Sequence, residues 1–150
     1  AVNASSLNDG AAAMIVCSEN FAQANGLTPV ARIVAQGWNG LEPEWFTTAP
    51  VGAVQHALKA AEMSVSDIDY FELNEAFSVV ALACQKDLDL PAEKLNVNGG
   101  AVALGHPLGA TGARILTTLL HIMRRRGGKR GVAALCNGGG EATALVVEAL

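Results

Sequence analysis

At 150 residues, 51% hydrophobic and 16% charged, the chain has the length and apolar content of one well-packed domain. A formal net charge of -4 leaves no basic footprint for nucleic acid, and no apolar run approaches the length that spans a bilayer. Three cysteines without a CxxC pair (Cys17, Cys84 and Cys136) argue against a disulfide framework and a structural zinc site, and fit a reducing, cytoplasmic setting.

In chain order, residues 10–17 (GAAAMIVC) read as a buried strand, short and apolar after an Asn-Asp-Gly turn signal. A short helix over 19–25 stops at Gly26. Residues 29–36 predict a strand, and the apolar spacing of 50–63 predicts a helix. Residues 67–73 (DIDYFEL) alternate as a strand does. The segment 76–88 predicts a helix apolar on nearly every side, and such a helix is expected to be covered all round. Residues 95–104 form a further strand-like stretch. The segment 109–126 predicts a long helix, closed by Gly127 and Gly128 with arginines in its last turn, where the helix dipole favours cations. Strands over 131–136 and 142–149 end the chain. The alternation implies an α/β domain with a largely parallel sheet.

The first strand and the last share a pattern. Residues 9–16 (DGAAAMIV) and 140–147 (GEATALVV) each run from a turn through small residues to branched apolar ones. Either residues 1–17 finish an earlier copy of the unit that 29–150 complete, or two buried strands share a composition. The chain begins at Ala1 without a methionine, which reads as a processed, trimmed or partial chain.

Three segments carry the chemistry: NEAF at 74–77, NGGAVALGHPLGATG at 98–112 and CNGGG at 136–140. Each is expected near the C-terminal end of a strand, where parallel α/β sheets hold their ligands. His106 lies between glycines before a helix, and Pro107 biases its backbone to extended conformations. A ring held there can accept a proton or donate to a substrate oxygen, or it can simply fill a turn. Cys136 ends an apolar strand before three glycines, whose N–H groups can face a developing negative charge. It can serve as nucleophile or as acid/base. Cys17 and Cys84 read as buried structural thiols. Asn74 either caps the following helix, with Glu75 favoured by the dipole, or presents an amide that fixes a water or an oxyanion. The glycines lack the Gly-Lys-Ser/Thr ending of a P-loop. The basic cluster Arg124, Arg125, Arg126, Lys129 and Arg130 reads as a solvated helix end. The three histidines have no metal-ligand spacing, so no metal is expected.

Together these segments resemble the thiolase family, in its acetyl-CoA acetyltransferase branch, and the likeness spans the chain. NEAF, NGGA with the GHP that follows, and CNGGG look like the family's C-terminal signatures at the family's spacing. Asn3-Ala4-Ser5 with Asn8-Asp9-Gly10 looks like the connection into the last strand of its N-terminal half. The resemblance implies an αβαβα layered fold, with a mixed five-stranded sheet in this C-terminal half. It places residues 1–28 at the end of the N-terminal domain and 29–150 in the C-terminal domain. It implies condensation of two acetyl-CoA to acetoacetyl-CoA, or thiolytic cleavage of 3-ketoacyl-CoA. Coenzyme A thioester is then substrate, and no cofactor is needed.

The resemblance also assigns roles. A cysteine on an N-terminal half, absent here, would be acylated, and His106 would activate it. His106 with a water held by Asn74 would form one oxyanion hole, and the Gly138 N–H would serve a second. Cys136 would move the proton at the second substrate. Ser5 would bond the pantetheine chain, and Ala76 and Phe77 would line its tunnel. Expected partners are that N-terminal half, acyl-CoA and further copies in a dimer or tetramer. Glu141 stands where many relatives carry a small residue. A non-catalytic, acyl-CoA-binding or interaction module is the alternative. A ketoacyl synthase-like enzyme fits less well, because Cys136 occupies a CxGGG setting.

Overall fold

The computed structural model describes residues 2–150. Its sheet has four strands among these residues, in the order β1-β4-β3-β2. They are β1 Ala31–Gly40, β2 Tyr70–Leu73, β3 Arg130–Cys136 and β4 Glu141–Ala149. Only β2 and β3 pair in parallel; β4 is antiparallel to both β3 and β1. The sheet is therefore mixed, with one strand fewer than the expected five, and not largely parallel. The cause lies at 137–140, a turn too short for a crossover, so β4 folds back beside β3 as a hairpin.

Five α-helices surround the sheet among the described residues: α1 Glu19–Ala24, α2 Ala49–Ala60, α3 Ser78–Asp87, α4 Ala101–Leu104 and α5 Thr111–Arg126. The side chains of β3 alternate between two cores, as a strand covered on both faces requires. Val132, Ala134 and Cys136 join the core built by α2 and α3, while Ala133 and Leu135 face α5. At Gly37 a methyl group would strike the backbone of Ala53 and Ala57, so α2 packs almost onto the strand.

Three expected elements differ. Residues 10–17 form no strand: Ile15 and Val16 are 86% and 69% exposed, and Cys17 is exposed. An apolar run becomes a strand only where another strand supplies hydrogen bonds, and none of the described strands pairs with this one.

The segment 95–104 is not a strand either. Asn96 accepts from Leu73 N (2.8 Å) and donates to Leu73 O (2.9 Å) through its side-chain amide. One parallel backbone bridge, Phe71 to Leu95, with Asn96 N donating to Phe71 O (2.9 Å), lies beside β2; the Asn96 amide takes the place of its next rung, and the chain then turns into α4. Finally, α3 is not covered all round. Val80 and Cys84 are buried, but Val79 and Leu82 are 51% and 61% exposed. Its apolar composition does not define a single inward face, and only one face meets the core.

Candidate active site

The three chemistry-bearing segments meet at the end of the β2–β3 pair. β2 ends at Leu73, paired with Ala134, and the next residue, Asn74, donates its N–H to Ala134 O (2.9 Å). Cys136 follows two residues later on β3. His106 arrives on the loop between α4 and α5, tied down by residues 3–8. Its N–H donates to Ser6 O (2.9 Å), while Ser5 N and Ser78 N bond Ala76 O and Asn3 O (3.0 and 2.9 Å). At Gly105, φ is +95° and a side chain would run into Asn8, so only glycine gives the loop this path.

The imidazole of His106 is held at both nitrogens. Thr111, fully buried, donates its hydroxyl proton to Pro107 O (3.0 Å). Its oxygen is thereby left to accept from His106 Nδ1, 2.6 Å away. This places the proton on Nδ1 and leaves the Nε2 lone pair available as a base. Asn74, 1% exposed, points its amide nitrogen at Nε2 (3.4 Å). The amide oxygen of Asn74 accepts from Arg114 Nη2 (3.3 Å). Desolvation, and then the Arg114 charge, hold His106 below its ordinary value of 6.5, so the ring is neutral at neutral pH.

Asn74 does not cap the helix that follows. The cap position of α3 is Phe77, and no side chain serves it. Glu75 reaches a different helix, accepting from Val102 N (3.1 Å) in the first turn of α4. Burial pushes the Cys136 thiol up, so it rests as the protonated acid. Beyond it, Gly139 N donates to Asn137 Oδ1 (2.9 Å), whereas Gly138 N–H has no hydrogen-bond partner among the described residues. That free donor suits an oxyanion. Cys84 is buried as expected, its thiol pushed up to about 12 by desolvation.

Ser5 donates its hydroxyl to Ala76 O (3.2 Å). Ala76 is half-buried and Phe77 is 37% exposed, its ring edge-on to Phe46 at 6.0 Å. Among the described residues, no three His, Cys, Asp or Glu side chains could hold a metal ion. No helix there is long and apolar enough to cross a membrane.

Sequence reasoning misses Thr111, Arg114 and Glu72. Arg114 carries a signal, because a cation in the first turn of a helix opposes the dipole and needs another reason to be there. Glu72 carries one too, as a charge inside an otherwise apolar strand; it is 2% exposed. Thr111 gives none.

The thiolase C-terminal domain family matches residues 27–149. The chain belongs to the thiolase family. Acetyl-CoA acetyltransferase 2 of Arabidopsis thaliana is 56% identical over 148 residues, which is 99% of this chain and 37% of that protein. The acetyl-CoA acetyltransferase of Escherichia coli K12 is 52% identical over 148 residues, 99% of this chain and 38% of that protein. The crystal structure of Bacillus anthracis acetyl-CoA acetyltransferase superposes with a TM-score of 0.96 at 48% identity, over 99% of this chain and 38% of that one. Human mitochondrial 3-ketoacyl-CoA thiolase gives 0.86 at 46% identity, over 89% of this chain and 34% of that one. The thiolase fold follows from these likenesses. The chain spans just over a third of the length of these curated relatives.

Proposed function

We propose that this chain supplies the acid/base half of a thiolase site, acting on coenzyme A thioesters. The observation that carries the reading is the neutral His106, protonated at Nδ1 through Thr111, with Nε2 directed toward Asn74. The relatives' names supply the substrate class, acetyl-CoA in the acetyltransferases.

Protons balance in two steps. His106 takes the proton of a nucleophilic cysteine on the N-terminal half, and that thiolate displaces coenzyme A from the first acetyl-CoA. Cys136, resting as thiol, protonates the departing coenzyme A sulfur and becomes a thiolate. The Cys136 thiolate then takes a proton from the methyl carbon of the second acetyl-CoA. The resulting carbanion attacks the acyl-cysteine carbonyl, the cysteine leaves, and His106 returns its proton. Acetoacetyl-CoA is released, and thiolysis runs the sequence backwards. His106, carrying the cysteine's proton, with a water held by Asn74 would form one oxyanion hole, and the free Gly138 N–H would serve the second. Ser5, Ala76 and Phe77 would face the pantetheine chain.

On this reading residues 1–28 finish the N-terminal domain and 29–150 form the C-terminal domain. The exposed apolar residues Met14, Ile15, Val16, Val30 and Ile33 support association with the N-terminal half and with further copies. Three unpaired cysteines and the cytosolic mouse relative support a cytoplasmic setting. The test combines the chain with an N-terminal thiolase half and follows acetoacetyl-CoA cleavage. Cleavage that depends on His106 and Cys136 supports the proposal; a folded pair without cleavage overturns it.

A further inference from the structure

Two charged side chains beside the site have no part in that proton traffic. Glu72 is 2% exposed, and its Oε1 has no hydrogen-bond partner; the buried Nε of Arg114 has none either. A buried carboxyl and a half-buried guanidinium are costly unless each serves the other or a third group. The third group is Asn74. Arg114 Nη2 donates to its amide oxygen at 3.3 Å, and the amide nitrogen is thereby turned toward His106 Nε2 at 3.4 Å.

A side-chain amide has two orientations, and they are chemically opposite at His106. With nitrogen toward the ring, Asn74 donates to the Nε2 lone pair, which favours the Nδ1–H form that Thr111 also favours. With oxygen toward the ring, it would accept from Nε2–H, and Thr111 would rotate to donate to Nδ1. The ring would then present a proton where the proposed mechanism needs a lone pair. Arg114 carries only donors, so it can bond only the oxygen, and it selects the first orientation.

We infer that Arg114 is a positioning residue that sets the orientation of the Asn74 amide and so the tautomer of His106. Glu72 and Arg114 are not in direct ion-pair contact, yet the guanidinium is the foremost influence opposing the desolvation of the carboxyl. Removing Glu72 alone leaves the Asn74 bond in place; removing Arg114 breaks it. The inference rests on the thiolase reading for its purpose, and on hydrogen-bond geometry for its content.

The experiment reads the imidazole and not turnover. Ring nitrogens are recorded by NMR in the whole chain labelled with nitrogen-15 histidine, for wild type, Glu72→Gln, Arg114→Lys, Arg114→Gln and the Glu72→Gln/Arg114→Gln double variant. Wild type and Glu72→Gln show His106 as a single Nδ1–H tautomer. Arg114→Gln shows a mixture of tautomers and titrates higher, through loss of the nearby charge and the turned amide. Arg114→Lys keeps the charge and a head that only donates, so it still selects the amide oxygen and His106 stays a single Nδ1–H tautomer. The double variant leaves no uncompensated buried charge, and mixing there carries the test even where Arg114→Gln fails to fold. A pure Nδ1–H tautomer in the double variant overturns the inference. Mixing in a chain whose assembled form cleaves no thioester would uphold it while removing the proposed function.

Discussion

Replacing Glu72 by glutamine isolates the cost of ionising a carboxyl inside the sheet. Desolvation, opposed by Arg114 and reinforced by Glu75, raises Glu72 from 4.5 to about 7. The folded value lies above the unfolded one, so the protonated form is favoured by folding. Its stabilising contribution is fully present below the unfolded value and is lost as pH rises through the folded one. Between about pH 5 and about pH 8 the loss is about 2–3 kcal/mol, an order-of-magnitude figure from the cited shift. Urea unfolding at several pH values across that range, on wild type and Glu72→Gln, reads it directly. Subtracting the two curves cancels the other titrating groups, and the variant gains on wild type by about 2–3 kcal/mol as pH rises. Parallel curves would refute the reasoning, since they would mean that Glu72 ionises as freely in the folded chain as in the unfolded one.

Other expectations follow from the same geometry. Thr111→Val removes both the acceptor for His106 Nδ1 and the bond to Pro107; unfolding measurements should show a loss of about 1–3 kcal/mol, with the His106 tautomer no longer single by NMR. Gly105→Ala places a methyl at φ +95° against Asn8 and should lower stability by about 1–2 kcal/mol or more, read as a reduced urea midpoint. Thiol titration of the native chain should find Cys17 fast and Cys84 and Cys136 slow, because only Cys17 is exposed; denaturation should equalise all three. In the assembled enzyme, the acid limb of kcat/KM should fall below the ordinary histidine value of 6.5, since burial and Arg114 depress His106.

Elements that carry their own hydrogen bonds or a one-sided pattern are legible in the amino-acid sequence alone. The helix α5 and the extents of β3 and β4 need only periodicity and glycine placement, whereas the antiparallel return of β4 beside β3 departs from the parallel alternation read from the sequence. The motifs around Asn74, His106 and Cys136 point to the right end of the sheet, because glycines and a strand end are written locally. What fails depends on partners distant in sequence. Residues 10–17 have strand composition but no neighbouring strand among the described residues, and 95–104 gives way to one asparagine amide that closes the edge of β2. Thr111 stays hidden because a threonine at a helix start has many ordinary uses. Its role emerges only from the 2.6 Å between its oxygen and His106 Nδ1.

The most direct measurement is acetoacetyl-CoA cleavage by this chain assembled with an N-terminal thiolase half, compared with the same assembly carrying His106→Ala or Cys136→Ala. Cleavage that falls about 100-fold or more in each variant, with assembly intact, is the expected result for lost acid/base groups. Cleavage unchanged by either substitution would contradict the assignment of His106 and Cys136 to proton transfer.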